Sequence, residues 1–296
     1  MALPDPGPVL DLIEAFRRSK TMFAAVSMGV FDRLSAGPAS AQQLRRPGED
    51  PSAFDRFLDA CVSLGLLEKH GGLYANSPVA DAYLRDSPNT LTGYINYSND
   101  VLWQIWAHLE DGIREGTNRW KQTFDLDGPL FSAYYSTEER KREFLLGMHG
   151  IGRISSPGIA AAFDLSRFHR VVDLGGATGH LPAAILERYP AIEAAVFDLP
   201  QVILHDWGDE KVRLLLARIY EALPKGGGLL IAERLLHDDL LGPVSTHMQS
   251  LNMLLATEGR ERSFGQYAEL LREAGFTGME SKPTGLPLDA VLALKG

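Results

Sequence analysis

Residues 171–200 read VVDLGGATGHLPAAILERYPAIEAAVFDLP, and their rhythm changes twice. VVDL is a short β-branched run that stops at two glycines, HLPAAILERYP spaces its apolar residues at helical intervals, and EAAVFD is a second apolar run closed by an acid. Strand, tight turn, helix and strand within about thirty residues is a βαβ unit, which predicts two parallel strands of an α/β sheet. Glycines in such a turn let the backbone approach a nucleoside ligand, and an acid at the next strand's end takes ribose hydroxyls. Asp198 stands where that acid belongs. A glycine turn alone also serves close helix–strand packing, and this one is not the phosphate-cradling G-x-G-x-x-G. His180 takes the third glycine position, and no basic residue follows to hold a pyrophosphate.

The α/β pattern continues to the end of the chain. DEKVRLLLARIYEALPKGG is a helix stopped by Pro and Gly, and GLLIAERLL is a strand. SFGQYAELLREAGF is a helix begun by Ser263 and closed at Gly275, and GMESKPTGLPLDAVLALK gives two short antiparallel strands. Upstream the pattern is helical. Val9, Leu10, Leu12, Ile13 and Phe16 make one apolar stripe, and MFAAVSMGVFDRL a more buried one. A short helix in PASAQQLRR, the turn PGED, a helix capped near Asp50 or Ser52 and a hairpin turning at Gly71 and Gly72 follow in winged-helix order. A DNA-recognition role is disfavoured by charge: Asp50, Asp55, Asp59 and Glu68 outnumber Arg56 and Lys69, while Phe54, Phe57, Leu58 and Val62 form an apolar face suited to dimerisation. Residues 99–115 read as one amphipathic helix carrying Trp103 and Trp106, and STEERKREFLLGMHGIG as another ending near Gly150, with Phe144 and Met148 on one face.

A formal net charge of -9 over 296 residues argues against non-specific binding to nucleic acid or anionic membrane, which Lys and Arg drive. The one cysteine, Cys61, sits in an apolar helical stretch, which leaves no intramolecular disulfide and no cysteine-based metal site. No metal is expected: His237, Asp238 and Asp239 read as a solvated turn. The N-terminus has neither a basic leader nor a long apolar core, so the expectation is a cytoplasmic protein.

SMGVFDRL, ACVSLGLLEK, GIREGTN, DLGGATG, FDLPQV, LHDWGDEK, PKGGGLLIAE, SLNMLLATEGRERS and DAVLALK run in one order through nearly the whole chain. In that order the sequence resembles the S-adenosylmethionine-dependent O-methyltransferases grouped with caffeic acid and acetylserotonin O-methyltransferases, and SLNML with TEGRER resembles the acetylserotonin branch. The resemblance implies an α/β fold of three parts: a winged-helix dimerisation domain (1–98), a helical connector lining the pocket (99–160) and a Rossmann-like S-adenosylmethionine-binding domain (161–296). It implies a homodimer and a small aromatic hydroxyl substrate. Gly175, Asp198 and Tyr135 would contact the cofactor, His205 would be the general base, and Glu233 and Glu261 would orient its imidazole. Phe144, Met148 and Asn252 would face the acceptor.

The chain departs from the family between FDLP and LHDW, where members carry a strand ending in a glycine-aspartate loop and then a further strand. Here the domain is shortened between 200 and 204, by about two central βα units. A sheet ordered 3-2-1-4-5-7-6 would lose strands 3 and 4. The expected repair keeps EAAVFD beside VVDL and slides GLLIAE into the vacant place, displacing His205; the alternative draws VFDLPQVIL between them. A catalytically impaired or inactive relative that still dimerises is the alternative function.

Overall fold

The computed structural model describes residues 3–126, 137–198 and 204–296. The chain divides into two compact units, Met1–Val101 and Leu102–Gly296. No helix of the described residues is long and apolar enough to cross a membrane.

The first unit has the winged-helix order. Helix α1 (Gly7–Ser27) leads through α2 (Val30–Arg33) to strand β1 (Ala39–Ser40) and α3 (Ala41–Leu44), which a Ser40–Gln43 capping box starts. Helix α4 (Pro51–Ser63) is capped by Asp50, whose Oδ1 accepts from the Ala53 N–H at 2.8 Å. Strands β2 (Leu67–His70) and β3 (Leu73–Asn76) form the wing across the Gly71–Gly72 turn, with β1 on the other edge of β3. Helices α5 (Pro78–Tyr83) and α6 (Thr92–Tyr97) complete it. Phe31, Phe54, Leu58, Cys61, Leu67 and Ile95 fill the core, and burial pushes the Cys61 thiol up to about 11. Asp59 of α4 is engaged within the unit: it accepts from Lys69 Nζ at 2.6 Å and from the Tyr74 hydroxyl at 2.8 Å. The α1 stripe Val9, Leu10, Leu12, Ile13 and Phe16 is exposed.

The single helix expected over 99–115 is broken. A π-helical turn (Ser98–Leu102) runs into α7 (Trp103–Trp106), α8 (Leu109–Glu115) and α9 (Trp120–Phe124). The breaks let two indoles reach one neighbouring helix: Trp106 Nε1 donates to Asn252 Oδ1 at 2.9 Å and Trp120 Nε1 to the Ala256 carbonyl at 2.7 Å. Helix α10 (Glu138–Ala162) runs well past Gly150 and includes Pro157.

Strand β4 (Arg170–Leu174), α11 (His180–Arg188) and β5 (Glu193–Phe197) form the predicted unit, with β4 and β5 parallel in the register Val172↔Ala195. Helix α12 (Asp209–Ala222) leads to β6 (Gly228–Glu233) and β7 (Leu235–Leu236). Helix α13 (Val244–Ala256), β8 (Arg262–Ser263), α14 (Phe264–Glu273), β9 (Thr277–Lys282) and β10 (Asp289–Leu294) follow. As predicted, Ser263 caps α14 and β9 pairs antiparallel with β10.

The sheet does not close as expected. Strand β6 pairs with β10 over six residues, and β4 with β5; among the described residues β6 does not pair with β4. GLLIAE has not slid into the vacant place: it is the edge strand of a separate sheet ordered β6-β10-β9, and its distal end continues into β7, which is paired with β8. Between β5 and α12 the described residues hold no strand, only a 3₁₀ turn over Leu204–Asp206. Parallel strands are ordinarily covered on both faces, yet Val172 is 50% and Phe197 51% exposed, which leaves an apolar face of the β4–β5 pair open.

Candidate active site

Three segments meet at His205. It lies in a 3₁₀ turn, Leu204–Asp206, just before α12. Glu233 ends β6, and Glu261 directly precedes β8. Because β7 and β8 pair parallel, Leu235 opposite Arg262, the chain leaving Glu233 runs beside the chain leaving Glu261. His205 Nδ1 is 2.9 Å from Glu233 Oε2 and 2.9 Å from Glu261 Oε1. Carboxylate oxygens accept, so Nδ1 carries the hydrogen and Nε2 is the basic nitrogen. His205, Glu233 and Glu261 come together because all three lie after the shortened stretch.

Two residues that sequence reasoning missed fix the turn. Arg262 is fully buried, and its guanidinium donates to the carbonyls of Leu204 at 3.2 Å and Trp207 at 2.9 Å and to Asp209 Oδ1 at 2.7 Å. Gly259 lets the backbone pass close: a Cβ there would lie 2.0 Å from the His205 carbonyl oxygen. Alternating charges are usually solvated, yet Glu261 and Arg262 of EGRER are both buried. No periodicity marks a two-residue strand.

Electrostatics here favour a proton on His205. Burial opposes its charged form, but Glu233 and then Glu261 outweigh that and hold the imidazole well above the ordinary histidine range. Burial, chiefly, pushes Asp206 up to about 6; its Oδ1 is 3.7 Å from His205 Nε2. Glu261 is also raised, by burial first, and its Oε2 is buried with no hydrogen-bond partner. His205, Glu233 and Glu261 each place a ligand atom within 4.8 Å of the others; of the two 2.9 Å contacts, that to Glu261 is a hydrogen bond and that to Glu233 an ion pair.

A second centre is the glycine turn after β4. Gly175 is there with φ 74, its N–H donating to the Phe197 carbonyl at 3.0 Å, and Asp198 is exposed just past the end of β5. Asp173 faces this turn with Oδ2 buried and without a partner, and burial followed by Asp198 pushes its carboxyl up to about 6. An orphaned buried carboxylate beside an exposed one fits a ligand that brings hydroxyl donors or positive charge. Phe144 and Met148 are partly buried on α10, and Asn252 is buried on α13 with its carbonyl committed to Trp106. Tyr135 lies outside the described residues.

The O-methyltransferase domain profile matches residues 106–204 and 201–277, and the O-methyltransferase dimerisation domain profile matches residues 10–86. The first profile restarts at 201–204, where FDLP and HDW are joined. Acetylserotonin O-methyltransferase of Gallus gallus is 36% identical over 337 residues, covering 98% of this chain and 97% of that protein. That aligned length exceeds the 296 residues of the chain, so the relative carries residues with no counterpart here. A probable bifunctional dTTP/UTP pyrophosphatase/methyltransferase protein of Homo sapiens is 36% identical, covering 99% of this chain and 54% of that protein. The crystal structure of human N-acetylserotonin methyltransferase in complex with SAM matches with a TM-score of 0.93 at 34% identity, covering 100% of this chain and 99% of that one.

Proposed function

The chain belongs to the O-methyltransferase family, and we propose that it methylates a hydroxyl of a small aromatic acceptor, using S-adenosylmethionine, with His205 as general base. The observation that carries this reading is the double carboxylate grip on Nδ1 at 2.9 Å, which leaves Nε2 as the proton acceptor. Glu233 and Glu261 fix the tautomer and the ring plane, and they stabilise the imidazolium formed when Nε2 takes the hydroxyl proton. Arg262 and Gly259 hold the turn that carries the ring. When bound, the cofactor supplies an electrophilic methyl group on a sulfonium sulfur. Gly175, Asp173 and Asp198 would hold it, with Tyr135 as a further contact; the orphaned Asp173 Oδ2 supports the fit. Phe144, Met148 and Asn252 would bound the acceptor, within a connector spanning residues 99–160 and on α13. The protein would act in the cytoplasm as a homodimer, the exposed α1 stripe of the dimerisation domain supporting self-association.

A second reading, a relative impaired in cofactor binding, is favoured by the open face at Val172 and Phe197 and by the profile break at 201–204. Calorimetric titration with S-adenosylmethionine separates the two. One cofactor per chain is expected, with light scattering giving twice the chain mass; the absence of heat at millimolar cofactor would sink the enzyme reading.

A further inference from the structure

His180, which replaces the third glycine of a phosphate-cradling turn, has no part in the chemistry above. Its ring lies flat against α10: a Cβ on Gly152 would come 2.2 Å from Nε2, 2.3 Å from Cε1 and 2.4 Å from Cδ2. Its Nδ1 is 2.9 Å from the hydroxyl of buried Ser156 on the same helix. Three residues before Gly152, His149 reaches the turn itself, with Nδ1 2.7 Å from Thr178 Oγ1. The two rings meet edge to face, centroids 6.3 Å apart.

The turn requires such support. Ala177 has φ 42, between Gly175 at φ 74 and Gly179 at φ 72. A non-glycine residue in that region persists only when its surroundings fix it. Main-chain bonds tie Gly179 to Gly176 at 2.7 Å and Gly175 to Phe197 at 3.0 Å. The side-chain ties run to α10, from Thr178 through His149 and from His180 through Ser156 and the bare backbone of Gly152.

We propose that His149 and His180 are positioning residues which clasp the Gly175–Gly179 turn onto α10 in its cofactor-receiving shape, and that the clasp holds while both rings are uncharged. This role presupposes the reading of the turn as the S-adenosylmethionine site. Burial and then Arg153 hold His149 below the ordinary histidine range; burial and then His149 do the same to His180. Arg153 faces His149 from α10, and the two imidazoles face each other from α10 and α11. Among the described residues no carboxylate pairs with either ring, and Asp173 presses on the Gly176 side of the turn instead. Acid therefore places two like charges side by side with no anion to offset them, loosening the turn, and a sulfonium ligand meets added positive charge there.

Amide hydrogen exchange, corrected for its intrinsic pH dependence, tests the clasp without cofactor. Between about pH 7.5 and about pH 5, protection of the Thr178–His180 amides is expected to fall about tenfold relative to α14. His149→Gln keeps a hydrogen-bonding group toward Thr178, and His180→Phe keeps a flat ring on Gly152, but neither can be charged; in both the fall should shrink to about twofold or less. His149→Gln, at a half-buried ring, carries the test alone should His180→Phe fail to fold. S-adenosylmethionine affinity of the unaltered protein should weaken about tenfold over the same interval, and by a smaller factor, left to Asp173, in the variants. Protection insensitive to acid, or an equal loss of affinity in all three proteins, overturns the clasp. Exchange that responds as expected while S-adenosylmethionine gives no heat at either pH overturns the cofactor reading and leaves the clasp standing.

Discussion

His205 and the His149–His180 pair are partly buried histidines of the same unit, each with Nδ1 held by a fixed oxygen. Two carboxylates hold His205, whereas hydroxyl groups hold the other two. That difference reverses the sign of the perturbation. Burial disfavours charge on all three rings, but Glu233 and Glu261 overcome it and raise His205, while Arg153 and the neighbouring ring add to it and lower the pair. Stability follows with opposite slopes. The folded state gains from charged His205 fully below the unfolded histidine value and loses that gain as pH rises through the higher folded value. Stability tied to the neutral pair is present above the unfolded value and is lost as pH falls through the lower folded value. One residue type thus serves as a strong base in one place and as an uncharged wedge in another.

The largest effect tests the first half of this contrast. His205→Ala should lower turnover of a small aromatic hydroxyl acceptor by about 10²–10⁴-fold, followed as S-adenosylhomocysteine release, with cofactor affinity unchanged because the ring is not part of the glycine turn. Turnover close to the parent value would remove His205 from its role. A smaller and more discriminating effect comes from the carboxylates. A base is inactive while protonated, so the acid limb of kcat/KM should lie above the ordinary histidine range. Glu233→Gln, which removes the largest raising influence, should move that limb downward further than Glu261→Gln. A limb that neither substitution moves would show that the carboxylates only pack against the ring, and the contrast with the histidine pair would collapse.

Much of this was legible in the sequence, for identifiable reasons. The βαβ unit, the wing hairpin, the Ser263 cap and the β9–β10 pair rest on local patterns, in which period, turn residues and caps agree. The grouping of His205 with Glu233 and Glu261 came from family resemblance; no local pattern joins residues so far apart in the chain. The misjudged features are tertiary. The length of α10 depends on Gly152 accepting a ring from α11, the breaks in 99–115 on two indoles reaching α13, and the burial of Arg262 on carbonyls in another segment. The expected sheet repair is not found: β6 keeps one edge on β10 along its whole length and continues into β7, and no local pattern in the sequence tells which sheet a strand joins.

The smallest predicted effect probes a carboxylate in a setting opposite to that of Glu233 and Glu261. Those two face an imidazole; Asp173 is half-buried at the glycine turn and faces another carboxylate, Asp198, with Oδ2 buried and unpartnered. Its folded value, about 6, lies above the ordinary 3.8, so its negative charge costs stability. The cost is absent below the ordinary value, grows as pH rises toward about 6, and is complete above that. Asp173→Asn should therefore stabilise the ligand-free protein by about 1 kcal/mol at high pH, once solvent screening is allowed for, with the gain vanishing in acid. The same substitution should weaken S-adenosylmethionine binding, because an acceptor poised for a cationic, hydroxyl-rich ligand is lost. Denaturant unfolding at the two pH extremes, paired with cofactor titration, reads both. A variant no more stable than its parent at high pH would mean that Asp173 is already compensated in the ligand-free protein, leaving the turn with no electrostatic demand for a cofactor.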